Sequence, residues 1–257
     1  MITAIINHPR AEELDLGRKF GILNSGGAPT PLEVINRIKD LGVFYTEGWS
    51  MSETTCAGTA NPVLGLKKPG SIGFPVHDTD VRLVDLDEGI EEVPQGEPGE
   101  MVIKGPTVTK GYWNNPEETA GQIRDGWLHT GDIAIQDEDS YFFIVDRKKD
   151  MIIAGGFNIY PREIDEVLHQ HPKIKEAISV GVPHEYRGET VKAFVVLKEG
   201  QTATAEDVMS FCREKLTAYK VPKLVEFRDG LPQSTIGKVL RRTLRDEEIA
   251  KTKKNEQ

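Results

Sequence analysis

Two kinds of apolar spacing alternate along the chain. Near the N-terminus the run Phe20-Gly21-Ile22-Leu23 meets Asn24-Ser25-Gly26-Gly27-Ala28-Pro29, and apolar residues then recur at Leu32, Val34, Ile35, Ile38 and Leu41 behind Pro31. Apolar positions three and four apart mark one face of a helix, and proline fits a first turn because its missing N–H has no partner to lose there. The pattern predicts strand, tight loop and helix, with another strand at Val43-Phe44-Tyr45: a βαβ fragment of an α/β layer. From residue 69 to about 112 the spacing shortens to alternation, as in Asp80-Val81-Arg82-Leu83-Val84-Asp85 and Glu100-Met101-Val102-Ile103-Lys104, with Gly and Pro between the runs. That texture predicts a small antiparallel β unit.

The charged segment Asp146-Arg147-Lys148-Lys149-Asp150 ends this β material, and a new alternation follows. Helical spacing covers 161–169, strands are expected at 177–182 and 191–197, a helix at 205–216, a strand at 222–227, a loop at 232–237 and a last amphipathic helix at 239–249. The expected division is 1–147 and 148–257, an α/β layer with a small β unit followed by a compact α+β domain.

Composition narrows the choice of partners. With 32 Lys+Arg against 41 Asp+Glu the net charge is −9, which repels a phosphate backbone, so nucleic acid is not expected as a partner. No apolar run is long enough to cross a bilayer, and the first residues, Met1-Ile2-Thr3-Ala4-Ile5-Ile6, have neither the basic start nor the small-residue cleavage pattern of a secretory signal. The two cysteines, Cys56 and Cys212, stand in no metal or redox spacing, which suits a reducing cytoplasm. His169 and His171 are two apart and so fall on different sides of the expected helix, not on one ligand face.

Candidate chemistry lies in five segments: Ser25-Gly26-Gly27-Ala28-Pro29, Gly48-Trp49-Ser50-Met51-Ser52-Glu53-Thr54, Trp127-Leu128-His129-Thr130-Gly131-Asp132, Asp146-Arg147-Lys148-Lys149-Asp150 and Pro232-Gln233-Ser234-Thr235-Ile236-Gly237-Lys238. In this order and spacing the chain resembles the acyl-adenylate-forming enzymes, and the wording around 67–73 and 146–162 is most similar to bacterial long-chain fatty-acid–CoA ligases. The resemblance implies a substrate set of fatty acid, ATP and coenzyme A, with Mg²⁺ and with AMP as a product. It places Gly27, Ala28 and Pro29 beside adenine, where small side chains let a flat ring approach the backbone. It makes Trp49 an aromatic wall, Ser52 a phosphate contact and Glu53 a hard oxygen ligand for Mg²⁺. Where the usual family pattern has Tyr, Gly and Thr, this chain has Trp49, Ser50 and Ser52, which keeps ring and hydroxyl chemistry.

Asp132, expected on a turn, would accept hydrogen bonds from a ribose diol, and Arg147 would add a cationic contact to ribose or phosphate. Lys149 falls at the family's hinge, where a movable domain exchanges one set of groups for another between two half-reactions. Gly155 and Gly156 either line a channel for the pantetheine arm of coenzyme A or simply form a hairpin turn. Lys238 is the expected catalytic residue: an ammonium reaching both reacting oxygens eases the approach of a carboxylate to the α-phosphate.

The family also carries a Ser/Thr/Gly-rich phosphate loop ahead of the Gly-Gly-Ala-Pro segment, and no such stretch occurs in this sequence. The resemblance therefore implies the C-terminal half of an enzyme, poorly active alone, with exposed sheet edges open to self-association. The alternatives are an aryl-CoA ligase, an adenylation enzyme that loads a carrier protein, and a nucleotide-binding remnant without turnover.

Overall fold

A computed structural model describes residues 2–27, 30, 32–234 and 239–255. The fold is mixed α/β and divides into two compact units, Met1–Ile144 and Val145–Gln257.

In the first unit, α1 (Ile2–Ile6) and α2 (Leu16–Lys19) precede β1 (Leu23–Ser25), α3 (Leu32–Asp40) and β2 (Tyr45–Trp49). β1 and β2 pair in parallel with α3 as the crossover, as the opening pattern predicts. α3 buries Ile35 and Ile38. It ends at Gly42, whose φ of 70° permits the left-handed turn; the N–H of Gly42 returns to Lys39 O at 2.9 Å and that of Val43 to Ile38 O at 3.2 Å. That turn uses up Val43, so β2 starts two residues later than the apolar run suggests. The expected strand at 20–23 likewise starts late, because Phe20 closes α2 by donating its N–H to Leu16 O. β3 (Thr59–Ala60) and β4 (Phe74–Pro75) extend the sheet antiparallel, in the order β1-β2-β3-β4.

The second sheet of this unit contains β5 (Asp80–Val84), β6 (Gly99–Lys104), β7 (Ile123–Arg124), which follows helix α4 (Pro116–Gln122), and β8 (Trp127–Gln136), in the order β5-β6-β8-β7. β9 (Phe142–Arg147) also pairs with β8. Trp49, Leu83, Met101, Ile103, Leu128, Ala134 and Phe142 form its core. The segment expected to be a turn, Thr130-Gly131-Asp132, lies inside β8: the register with β6 passes from Val102↔His129 to Glu100↔Ile133, so β8 carries two more residues than its partner. This bulge breaks the alternation that marks a strand, which hides the strand from a pattern reading.

The second unit holds the hairpin β10 (Ile152–Ala154) and β11 (Phe157–Ile159), then α5 (Pro161–His169), β12 (Ile174–His184), β13 (Gly188–Leu197), α6 (Ala205–Arg213), β14 (Leu224–Phe227) and α7 (Arg241–Asn255). Its sheet has the order β11-β10-β13-β12, with β14 parallel to β13. Ala177, Val191, Ala193 and Val195 pack with Ile164, Leu168, Val208 and Cys212 of α5 and α6. Ile178, Val180, Phe194 and Val196, on alternate positions, pack with Leu244 of α7. Because both faces are covered, the two long strands read as nearly continuous apolar runs. α6 starts in a reciprocal cap, with Thr204 Oγ1 accepting from Asp207 N–H at 3.1 Å and Asp207 Oδ2 accepting from Thr204 N–H at 2.8 Å. Among the described residues, no helix is long and apolar enough to cross a membrane.

Candidate functional site

In the first unit the site is built around the bulge in β8. Thr130 Oγ1 donates to Met101 O at 2.7 Å and accepts from Asp132 N–H at 3.1 Å, while Gly131 supplies the left-handed backbone, with φ 68°. The bulge turns the Asp132 carboxylate toward β2, where Trp49 Nε1 donates to Asp132 Oδ2 at 2.7 Å. Both side chains are largely buried, each residue only 8% exposed. The indole packs closely at Gly58, where an added Cβ would stand 2.6 Å from Trp49 Cε3. Two positions far apart in the sequence thus form one unit, and the indole N–H fixes the direction of one carboxylate oxygen.

Ser52 and Glu53 follow in a 3₁₀ turn, Ser52–Thr54. Ser52 is exposed and Glu53 half-buried. Tyr112 donates its hydroxyl to Glu53 Oε1 at 3.0 Å, and Thr109 N–H donates to the Glu53 carbonyl at 2.7 Å. Burial, joined by the negative charge of Glu53, pushes the Tyr112 phenol up to about 12, so it stays a donor. A single oriented carboxylate suits Mg²⁺, which keeps most of its shell for water and substrate phosphates; among the described residues no group of three or more His, Cys, Asp and Glu is arranged to hold a metal alone. Glu53 is the residue that would hold the ion, whose charge would offset that of the phosphates.

The first glycine-rich segment lies beside this region. Gly27 follows β1 with φ 78°, and a Cβ on Gly26 would come within 3.2 Å of Gly48 O, just before Trp49. Ala28 and Pro29 lie outside the described residues, as does Lys238.

The remaining expected residues belong to the second unit. Arg147 ends β9, half-buried, and Lys149 lies exposed in a 3₁₀ turn, Lys148–Asp150. Around Lys149 the backbone is tied down: Asp146 accepts from the N–H groups of Arg147 and Arg162, both at 2.7 Å, and the Lys149 carbonyl accepts from Arg245 at 3.1 Å. The bond to Arg162 caps the first turn of α5, a role its own N-cap residue, Tyr160, does not fill with a side chain. Burial raises the Asp146 carboxyl above its usual range in spite of these bonds. Gly155 and Gly156 join β10 to β11 with φ 62° and 84°, a two-residue loop with both positions left-handed. Nothing lies within 4 Å of a Cβ added at Gly156, so conformation, not crowding, requires glycine there.

Residues that a motif reading misses support those it finds. Tyr112 orients Glu53, and Glu100, in an otherwise apolar stretch of β6, faces the bulge. In the sequence Glu100 is only the polar start of the run Met101-Val102-Ile103, and its burial appears in the fold alone.

The sequence profile of the AMP-binding enzymes matches residues 1–113, and that of the AMP-binding enzyme C-terminal domain matches residues 163–238. The chain is 49% identical over 245 residues to a long-chain-fatty-acid–CoA ligase of Bacillus subtilis (strain 168), an alignment covering 95% of this chain and 43% of the relative. It thus spans less than half the length of that relative. Among solved structures, ATP-bound MatB from Rhodopseudomonas palustris superposes with a TM-score of 0.87 at 36% identity, over 95% of this chain and 48% of that one. O-succinylbenzoate coenzyme A synthetase (MenE) from Bacillus subtilis, in complex with ATP and magnesium ion, superposes with a TM-score of 0.77 at 31% identity, over 87% of this chain and 46% of that one.

Proposed function

The chain belongs to the AMP-binding enzymes, and from that premise we propose that it is part of an ATP-dependent fatty-acid–CoA ligase, holding the nucleotide in the first half-reaction and admitting coenzyme A in the second. The carrying observation is the Trp49–Asp132 pair on the bulge of β8, a buried and oriented carboxylate suited to a ribose diol.

In the first step a fatty-acid carboxylate oxygen attacks the α-phosphorus of ATP; an acyl–phosphate bond forms and the bond to pyrophosphate breaks. Asp132 holds the ribose, Gly27, Ala28 and Pro29 border the adenine with Trp49, Ser52 meets phosphate, and Glu53, kept in place by Tyr112, would hold a magnesium ion, whose charge would offset that of the phosphates. Arg147 adds positive charge, and Lys238 stabilises the negative charge that gathers on the reacting oxygens. In the second step the thiol of coenzyme A gives its proton to solvent and its sulfur attacks the acyl carbon; the thioester bond forms, the acyl–phosphate bond breaks and AMP leaves. Lys149 serves as the hinge between the steps, with Gly155 and Gly156 beside the pantetheine arm. Most of the protein's contribution is position and charge.

We place this activity in the cytoplasm, a reading supported by Cys56 and Cys212 both being free thiols. The outer edge of β1 pairs with no strand among the described residues, and Leu64 and Leu66 are exposed in the same unit, which supports self-association.

The test is AMP binding by calorimetry, followed by AMP release from ATP with palmitate and coenzyme A. The chain alone is expected to bind AMP with little turnover. Release should appear when the N-terminal half of the Bacillus subtilis relative is added and should vanish in Lys238→Ala. Absence of AMP binding would overturn the reading, and sedimentation of the same sample as a monomer at every concentration would overturn the association.

A further inference from the structure

Glu100 is only 5% exposed, and neighbouring residues 101–103 of its strand are buried and apolar. A carboxylate removed from water loses solvation that only polar partners can replace. Its position shows what it does. Glu100 lies on β6 opposite the bulge, and its Oε1 accepts from the N–H of Gly131 at 3.2 Å. In a regular ladder that N–H would bond to the backbone of the adjacent strand; in the bulge, where Gly131 is half-buried, it is displaced and needs another acceptor. Glu100 supplies the acceptor that the ladder withdraws. Its other oxygen lies 3.5 Å from Nδ1 of His129, itself 6% exposed, the residue just before the bulge. That spacing lacks hydrogen-bond geometry. Gly89 closes the pocket, since a Cβ there would stand 3.0 Å from His129 Cε1 and 3.7 Å from Glu100 Oε2. The bulge is therefore gripped twice from β6, at Gly131 through Glu100 and at Thr130 through Met101 O.

We infer that Glu100 is a positioning residue for nucleotide recognition: by holding Gly131 it fixes the bulge of β8 and so aims Asp132 at the ribose hydroxyls. This rests on the proposed reading of Asp132 as a ribose contact, which makes the ribose diol the part of the ligand through which the effect must be seen.

Calorimetric affinities for AMP and for 2′,3′-dideoxy-AMP, which lacks both hydroxyls, test it on the chain, with Glu100→Ala and Glu100→Gln. The unmodified chain should prefer AMP. Glu100→Ala should lose AMP affinity by about tenfold or more while its affinity for the dideoxy nucleotide stays unchanged. Glu100→Gln, whose amide oxygen can still accept from Gly131, should keep both the affinity and the preference. Equal losses for the two nucleotides in Glu100→Ala would make Glu100 merely structural and overturn the inference, as would no loss at all. If Glu100→Ala does not fold, a Glu100→Gln variant that has lost the preference overturns it by itself. Equal binding of the two nucleotides by the unmodified chain would refute the ribose assignment of Asp132, and the inference with it.

Discussion

The long strands of the two units solve opposite problems. β12 and β13 run side by side from Ala177↔Val195 to His184↔Gly188 without a break, their single irregularity lying between Ile174 and Glu176. β8, of comparable length, is interrupted by Thr130-Gly131-Asp132. The unbroken pair is covered on both faces and admits charge only where it is fully matched: Lys192 on β13 lies 2.7 Å from both Glu226 and Glu248. The broken strand diverts backbone out of the ladder and uses side chains, Thr130 and Glu100, to satisfy what the ladder no longer does. A regular sheet can present a carboxylate only along its own alternation of faces. A bulge can aim one elsewhere, as Asp132 is aimed at Trp49.

The largest expected effect is on the unbroken pair. Phe194 is fully buried on β13, and Phe194→Ala should lower stability in urea unfolding by about 3–5 kcal/mol through lost burial and the cavity left behind. AMP affinity of the folded variant should stay the same; a matching loss of affinity would mean that the two regions are not independent. The bulge should be cheaper to disturb. Gly131→Ala places a side chain at φ 68°, where nothing lies within 4 Å of the new Cβ, so only backbone strain of about 1–2 kcal/mol is expected. Its AMP affinity should fall with it. A variant with unchanged stability and affinity would remove the left-handed turn from the argument.

The smallest effect concerns the charges of the unbroken pair. Burial alone would raise the Glu226 carboxyl, but hydrogen bonds from Lys192 and Arg228 outweigh it and pull the group from 4.5 to about 2. A folded-state value below the unfolded one stabilises the fold above pH 4.5, and this contribution is lost as pH falls toward 2. Because the side chain is still 30% exposed, the screened contribution is about 1 kcal/mol or less. Stability measured across this range should fall less steeply in Glu226→Gln; identical slopes would show that the pairing contributes nothing.

Local order was legible in the longer elements, where a side-chain period repeats over several residues; the short helices α1, α2 and α4 gave no such repeat. The helical spacing of 161–169 became α5, that of 205–216 became α6, which has its Thr204 cap but stops at Arg213, three residues short, and the Gly155-Gly156 pair became a hairpin loop. These elements follow from side-chain period and backbone preference, which act over a few residues. The motif residues were also legible, as identities in order, and through them the kinship with AMP-binding enzymes.

What joins those residues was not legible. Trp49 meets Asp132 across 83 positions, Tyr112 meets Glu53 across 59 and Glu100 meets Gly131 across 31. In the sequence Trp49 is expected as an aromatic wall; in the fold its indole N–H donates to Asp132 and orients that carboxylate. Glu100 reads as the polar end of a strand, and only the register of β6 against β8 turns it into the acceptor for a displaced N–H. The chain by itself determined its four longer helices, about half of its strands and the kinds of chemical group at hand, because these depend on local propensity and composition. Only the tertiary structure decided where β8 breaks and which carboxylates are aimed, because a bulge is a mismatch between two strands, and neither strand contains it alone.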